Sequence, residues 1–265
     1  MLELFVAGKF QKKTLPDQSV VCFFQAQLPQ AFDSYSEINK PQIWREYYRP
    51  FAAVAMNKEQ DSITLVRDHL GMEPLFYSVS AERVYVAQSV PELIAILPSK
   101  PVLSQEQIPT YYLDLKPYSE STLYKGILRL ESGTIAQISR GKILKSPFWK
   151  LEKSGPEIHY PSDSDYLRHF SELVEEGVKN ALEGSKNPAA EFSAGLDSTA
   201  IILASHHLGV TPKLYMHGAL PDTDAANIYN DSYERNLIQR LNLKEIQRIF
   251  ASDFDPLKVD RKSVV

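Results

Sequence analysis

The stretch Glu191-Phe-Ser-Ala-Gly-Leu-Asp-Ser-Thr-Ala200 decides how the second half of this chain folds. A short apolar run with a polar start, Asn187-Pro-Ala-Ala-Glu-Phe192, precedes it, and an apolar segment at helical spacing, residues 199–208, follows. Strand, tight turn, helix is an order that gathers the unpaired N–H groups of the first helical turn into one concavity. The positive end of the helix dipole faces the same place, which favours an anion. Ser193 and Ser198 add hydroxyl donors, and Gly195 lets the main chain approach an anion closely. Asp197 repels a bare phosphate but suits a divalent cation that bridges to phosphates. The competing reading is an ordinary helix N-terminus capped by Asp and Ser. Two serines, a glycine and an aspartate within six positions exceed what capping requires, so the phosphate reading is preferred.

Working outward, the segment before this motif changes periodicity. Tyr166, Leu167, Phe170, Leu173, Val174, Val178, Ala181 and Leu182 recur at three- and four-residue spacing and predict an amphipathic helix. Ser162 or Ser164 can start it and Gly184 can end it. After the motif's helix come a second strand at 213–217, a loop at 218–230, a helix from about 231 to 241 and a third strand at 245–250. Asp231 and Glu234 form an Asp-x-x-Glu box at that helix start. Strand and helix in alternation are the grammar of a parallel α/β sheet, which binds ligands at the C-terminal ends of its strands.

The first half has a different texture. Short strand-like runs at 2–6, 19–25, 51–56, 62–66, 75–78, 83–87, 133–138 and 142–144 alternate with turn-forming segments and predict antiparallel sheet joined by hairpins. Helical candidates are few, at 90–96 and 104–112. The polar stretch Lys153-Ser-Gly-Pro-Glu-Ile-His-Tyr-Pro-Ser162 reads as a linker. The expected organisation is therefore a domain over 1–152, a linker over 153–163 and a second domain over 164–265.

At 265 residues and a formal net charge of −4, the composition is that of a globular protein without a basic stripe for nucleic acid. No apolar run has membrane-spanning length, and residues 1–9 lack the pattern of a signal peptide, so a cytoplasmic location is expected. The single cysteine, Cys22, lies in Val20-Val-Cys-Phe-Phe24 and reads as an inert core residue.

Two further segments, with the opening loop, carry a resemblance. Arg67-Asp-His-Leu-Gly-Met-Glu-Pro-Leu-Phe-Tyr77, followed by Val84-Tyr-Val-Ala-Gln-Ser89, resembles an "RD-x-x-G-x-x-PLYY" hairpin. Thr122-Leu-Tyr-Lys-Gly-Ile-Leu-Arg-Leu-Glu-Ser-Gly133 resembles "TLFKGIxxLPPG", with Phe148-Trp149 in place of "YW", and Ser193-Ala-Gly-Leu-Asp-Ser198 resembles the pyrophosphate loop "SGGLDS". In this order they are similar to the asparagine synthetase superfamily. The resemblance implies an α+β, Ntn-type antiparallel sheet sandwich of the glutaminase kind. An incomplete parallel α/β domain of the adenine nucleotide alpha hydrolase type would follow it. It further implies ATP and Mg2+ as ligands. Ser193, Ala194, Gly195, Asp197 and Ser198 would hold pyrophosphate, with Asp197 on the metal, and main chain near Phe192, Met216 and His217 would flank the adenine. Asp231 or Glu234 falls where the family places an acidic residue, although both also serve a capping box.

The sequence departs from that pattern at three places. Position 2 is Leu where the family has a catalytic cysteine whose α-amine is the general base, and an internal Cys22 has no such amine. The "RGPD", "NGEIYN" and "DGxFA" motifs are not visible apart from Phe51-Ala-Ala-Val-Ala55. Ala194 stands in place of the loop's first glycine, a costly change only where φ is positive. Relatives continue beyond the third strand of the sheet, so a truncated chain or a second chain completing the sheet is expected. No catalytic residue is assigned to the glutaminase part.

Of the remaining polar residues, His206-His207 at a helix C-terminus suits the dipole better than a metal. His69 and His217 are assigned no chemistry, and Asp222 with Asp224 is read as a solvated loop. The default expectation is an ATP-dependent amide ligase acting on a small-molecule or peptide carboxylate, with asparagine formation as its type reaction. A lasso-peptide cyclase or β-lactam synthetase-like ligase is the alternative within that class. A non-catalytic fragment, or half of a split enzyme, is the alternative outside it.

Overall fold

A computed structural model describes residues 1–24, 32–80, 82–113, 120–151, 157–218, 231–243 and 246–250. The chain divides into two compact units, Met1–Gly155 and Pro156–Val265.

The first unit is α+β and built on two sheets. Strands β1 (Glu3–Val6), β2 (Phe10–Thr14), β3 (Val20–Phe24), β4 (Ala52–Asn57), β5 (Ser62–Arg67), β6 (Phe76–Ser80), β7 (Arg83–Ala87), β8 (Leu128–Arg129), β9 (Thr134–Ser139) and β10 (Lys142–Pro147) supply them. One sheet has the order β10-β9-β5-β4-β3-β2 and is antiparallel throughout. The other has the order β1-β7-β6-β8. Here the expectation of all-antiparallel pairing is corrected, because β1 runs parallel to β7, with Glu3 opposite Arg83 and Val6 opposite Val86. A parallel neighbour needs a long connection rather than a hairpin, and local turn signals carry no trace of it.

Period-two alternation assigns each face. Cys22, Phe24, Ala52, Val54, Ile63, Leu65, Ala136 and Ile138 of the larger sheet meet Tyr77, Val84 and Val86 of the smaller one in a common core. The intervening residues Val21, Phe23, Ala53, Ala55, Val66 and Ile135 face the opposite way. Two short helices, α1 (Tyr35–Ile38) and α2 (Pro41–Arg45), cover that face through Tyr35, Ile38 and Trp44. Trp44 stacks on Phe51 at 4.7 Å between ring centroids, and its indole N–H donates to the Ile38 carbonyl at 2.7 Å. On the far side of the smaller sheet, Tyr85 and Ala87 pack with Leu93 of α3 (Val90–Ile96). Its Ser89 N-cap accepts from the Glu92 N–H, as a capping box requires. A further helix, α4 (Ile108–Tyr112), is shorter than the 104–112 expected. The layers are helix, sheet, sheet, helix.

One polar knot ties the motif segments of this unit together. The Asp68 carboxylate accepts from the main-chain N–H groups of Glu73 at 2.8 Å, Met72 at 2.9 Å and Leu70 at 3.1 Å, with Phe51 at 3.4 Å. Its neighbour Arg67 donates to the carbonyls of Glu73, Leu130 and Gly71. The Asp68 carbonyl takes the Gly133 N–H at 2.8 Å. Gly71 lies at φ +65°, and a Cβ there would come within 3.0 Å of the Arg67 guanidinium. Gly133 lies at φ +60°, and a Cβ there would sit 2.4 Å from the Trp149 carbonyl oxygen. Both glycines are therefore dictated by conformation and by space. Burial pushes the Glu73 carboxyl above its ordinary pKa, against a bond donated by Gln88.

In the second unit, α5 (Asp163–Leu182) precedes β11 (Ala189–Glu191), α6 (Leu196–His207), β12 (Lys213–Gly218), α7 (Asp231–Arg240) and β13 (Ile246–Phe250). The three strands are parallel in the order β11-β12-β13. Phe192, Ile202, Leu214, Met216 and Leu243 form the core between sheet and helices. No described helix is long and apolar enough to cross a membrane.

Replacing Asp68 by Ala leaves buried N–H groups of the 68–73 loop unpaired. It should destabilise the chain by about 2–4 kcal/mol in urea denaturation, on the scale of an uncompensated buried polar group.

Candidate functional site

The loop 193–198 joins the end of β11 to the start of α6. Phe192 anchors the approach: its N–H donates to the Tyr215 carbonyl at 2.7 Å, and its side chain is fully buried. Ala194 then reverses the chain at φ +58°, and Gly195, the N-cap of α6, returns to extended backbone at φ −80°. The left-handed position of the turn thus belongs to Ala194, not to the glycine beside it. An L-residue there costs about 1–2 kcal/mol relative to glycine. Gly195 is constrained by space instead, since a Cβ would approach the Ser193 Oγ to 3.3 Å.

The helix begins at Leu196, three residues before the apolar segment that announces it, and its first turn has no side-chain cap. The available hydroxyls bond one another: Ser193 Oγ lies 3.1 Å from Ser198 Oγ. The Ser193 N–H donates to Ser198 Oγ at 3.3 Å, and the Gly195 N–H to Ser193 Oγ at 3.4 Å. The first helical bond runs from the Thr199 N–H to the Gly195 carbonyl at 3.1 Å. Asp197, in the first turn, is exposed, as are Ser193 and Gly195. The arrangement places two hydroxyls, open main-chain donors and one carboxylate at the surface within a single turn. A polyanion can take the donors, and a cation shared with it can take Asp197.

The other residues singled out by sequence are placed as follows. Phe192 and Met216 are both core side chains, so only their main chain is open to a ligand. The side chains of His217, Asp231 and Glu234, and the whole of Asp222 and Asp224, lie outside the described residues. His207 pairs with Glu175 at 3.1 Å, while His206 Nε2 is buried without a partner. Among the described residues no group of three or more His, Cys, Asp or Glu could hold a metal. An open groove of about 240 Å³ lies between α5 and α6, lined by Phe170, Val174, Leu203 and His207 among others, and the loop contributes nothing to it.

In the first unit, the two residues weighed against a glutaminase nucleophile, Leu2 and Cys22, are both buried. Leu2 is buried between the two sheets, its N–H donating to Asp61 Oδ1 at 2.5 Å. Cys22 is buried on the same face, and burial pushes its thiol up to about 11. His69 is also buried, its Nε2 3.2 Å from the Arg45 carbonyl, and its ring packs edge-on against Phe148 and Trp149.

Comparison with known families bears on this unit alone. Residues 35–149 match the glutamine amidotransferase domain. That span begins with α1 and ends at Trp149, so it takes in the whole Asp68 knot, and this part of the chain is a glutamine amidotransferase-like domain. Comparison with curated proteins gives no match.

The knot is what sequence reading missed. Arg67, Asp68, Gly71 and Gly133 were legible as motif letters, but their bonds to main chain across 65 residues carry no local signal.

The Cys22 environment yields a pH signature. A thiol whose pKa is raised by folding contributes stability that is complete below the unfolded value of 9.0 and lost as pH rises through about 11. Folded protein at pH 8 should resist iodoacetamide at Cys22 and react once denatured. Chemical stability should fall between pH 9 and about 11 in native protein more than in Cys22→Ala.

Proposed function

We propose that the chain is an ATP-dependent amide ligase of the asparagine synthetase type. Its 193–198 loop holds the pyrophosphate of a magnesium-bound nucleotide. Its glutamine amidotransferase-like domain acts as a scaffold without a thiol nucleophile. The observation that carries the reading is the N-terminus of α6. Its N-cap is Gly195, which supplies no side chain, and the hydroxyls of Ser193 and Ser198 beside it are paired only with each other and with main chain of the loop. With no capping side chain at that position, an anion can accept from the main-chain N–H groups at the exposed helix start.

The roles follow from charge. Magnesium bound to ATP neutralises the leaving pyrophosphate and is commonly held by one or two carboxylates plus phosphate oxygens, a requirement that a single Asp197 meets. Ser193 and Ser198 would exchange their mutual bond for bonds to phosphate, and the open N–H groups of the first turn would supply the rest. The substrate carboxylate attacks the α-phosphorus, the bond to the bridging oxygen breaks, and pyrophosphate leaves. A nitrogen nucleophile then displaces AMP from the acyl carbon. Burial of Leu2 and Cys22 favours ammonia or an amine of the substrate over glutamine as the nitrogen source, a choice that includes the cyclising ligases.

ATP–pyrophosphate exchange on the full chain, with aspartate and then a panel of other carboxylates, tests the reading. One carboxylate should support exchange. Asp197→Asn should lower it by about 10²-fold, the scale of one preorganised electrostatic contact. Ala194→Gly should retain or raise it, by up to about tenfold, because the turn is no longer strained. Exchange with no carboxylate would rule out the ligase reading for this chain.

A further inference from the structure

Two carboxyl groups and one guanidinium share the buried knot at the end of β5, and the bonds among them leave one carboxyl without a cation. Glu73 is 3% exposed. Its main chain is held at both ends: the N–H donates to Asp68 Oδ2 at 2.8 Å, and the carbonyl accepts from Arg67 Nε at 2.7 Å. The side chain has a different kind of partner, since Oε1 accepts from the neutral amide of Gln88. Arg67 directs its other donors to the carbonyls of Leu130 at 2.6 Å and Gly71 at 2.5 Å. The charges that act on Glu73 are therefore Asp68, which opposes a second negative charge, and Arg67, which favours one. Arg129 lies beyond and acts on Arg67. Gln88, at the end of β7, brings no charge, and Glu92, the acid of α3, is bonded to the Ser89 hydroxyl. A carboxylate taken out of water without a bonded cation costs far more than the same group with its proton on.

We propose that Glu73 is a proton-operated latch on the 68–73 loop: with its proton on, the side chain stays packed beside Gln88 and the loop stays closed, and when the proton passes to solvent the loop opens to hydrate the charge. The loop is placed for such a response. Leu70 and Met72, 70% and 67% exposed, put its outer side in water already. Its inner side holds β4 through the Phe51 N–H and the 130–133 turn through the Gly133 N–H. Loss of the Glu73 proton thus loosens the ties that the knot makes to both. Burial raises the Glu73 carboxyl above its ordinary pKa, with Asp68 adding to the rise, and the Gln88 bond and Arg67 offset this only in part. A carboxyl raised by folding contributes stability that is complete below the ordinary value of 4.5 and is lost as pH rises through the folded value.

Glu73→Gln keeps an acceptor for the Gln88 amide and cannot ionise, so it fixes the latch closed. Urea denaturation of the full chain and of this variant, from about pH 4 to about pH 8, compares their unfolding equilibrium constants. The two should agree at the acid end. With rising pH the native constant should grow against that of the variant, by about tenfold for each unit by which folding raises the carboxyl. A ratio that stays flat or falls overturns the proposal. A second measurement needs no variant. The side-chain carboxyl carbon of Glu73 in the native chain should titrate by NMR with a midpoint above 4.5. The N–H groups of Leu70, Met72 and Glu73, all held by Asp68, should lose exchange protection through the same midpoint. A midpoint at or below 4.5, or protection that persists through the titration, overturns it as well.

Discussion

The Asp68 carboxylate is the point on which the first unit turns. It gathers the N–H groups of its own loop and that of Phe51, while its main chain pairs with Phe51 and Gly133. Arg67 closes the same loop from the other side through three carbonyls. Each ion is buried and each is hydrogen-bonded to main-chain dipoles, an arrangement that fixes geometry more than it adds net stability. Because β4, β5, the 130–133 turn and the Phe148–Trp149 strand end all bond into it, the sheet edges cannot slide without unpairing buried groups. Two glycines with no room for a side chain seal it.

In the second unit the corresponding constraint is smaller and strained. A turn of three residues must carry the chain from a buried Phe192 to the first turn of α6, and its left-handed position is filled by alanine. Strain of this kind persists where the surroundings hold it in place, and it concentrates at ligand clamps. Phe192 on one side and Ile202 on the other, both buried in one cluster, do the holding here. Ser193 and Ser198 bond each other, and the N-cap is a glycine that supplies no side chain to the first turn. The positive φ of Ala194 and the glycine N-cap together set the shape of this turn.

Much of this was legible in advance. The spacing of Tyr166 to Leu182 marked α5 to within three residues, and α3 spans the 90–96 expected of it. The runs expected at 19–25, 51–56, 62–66 and 133–138 are strands β3, β4, β5 and β9, apolar on both faces of one sheet. Other features depend on partners far away in sequence. The parallel pairing of β1 with β7 spans some eighty residues, and α1 and α2, at four and five residues, are too short to show a helical period. Strand β2, with all five residues exposed, lacks the apolar signal of a core strand and is an edge. For the loop, Ser193, Gly195, Asp197 and Ser198 were readable as residue types. Which residue would take the positive φ was not, since Ala194 and Gly195 are adjacent and only the tertiary path of the chain decides between them.

Calorimetric titration of magnesium pyrophosphate into the full chain, against the same titration of Asp197→Asn, bears most directly on the central claim. The account predicts saturable binding to the native chain that needs magnesium and is lost or much weakened in the variant, with the fold unchanged by circular dichroism. Equal binding by both proteins, or none by the native chain, would contradict it.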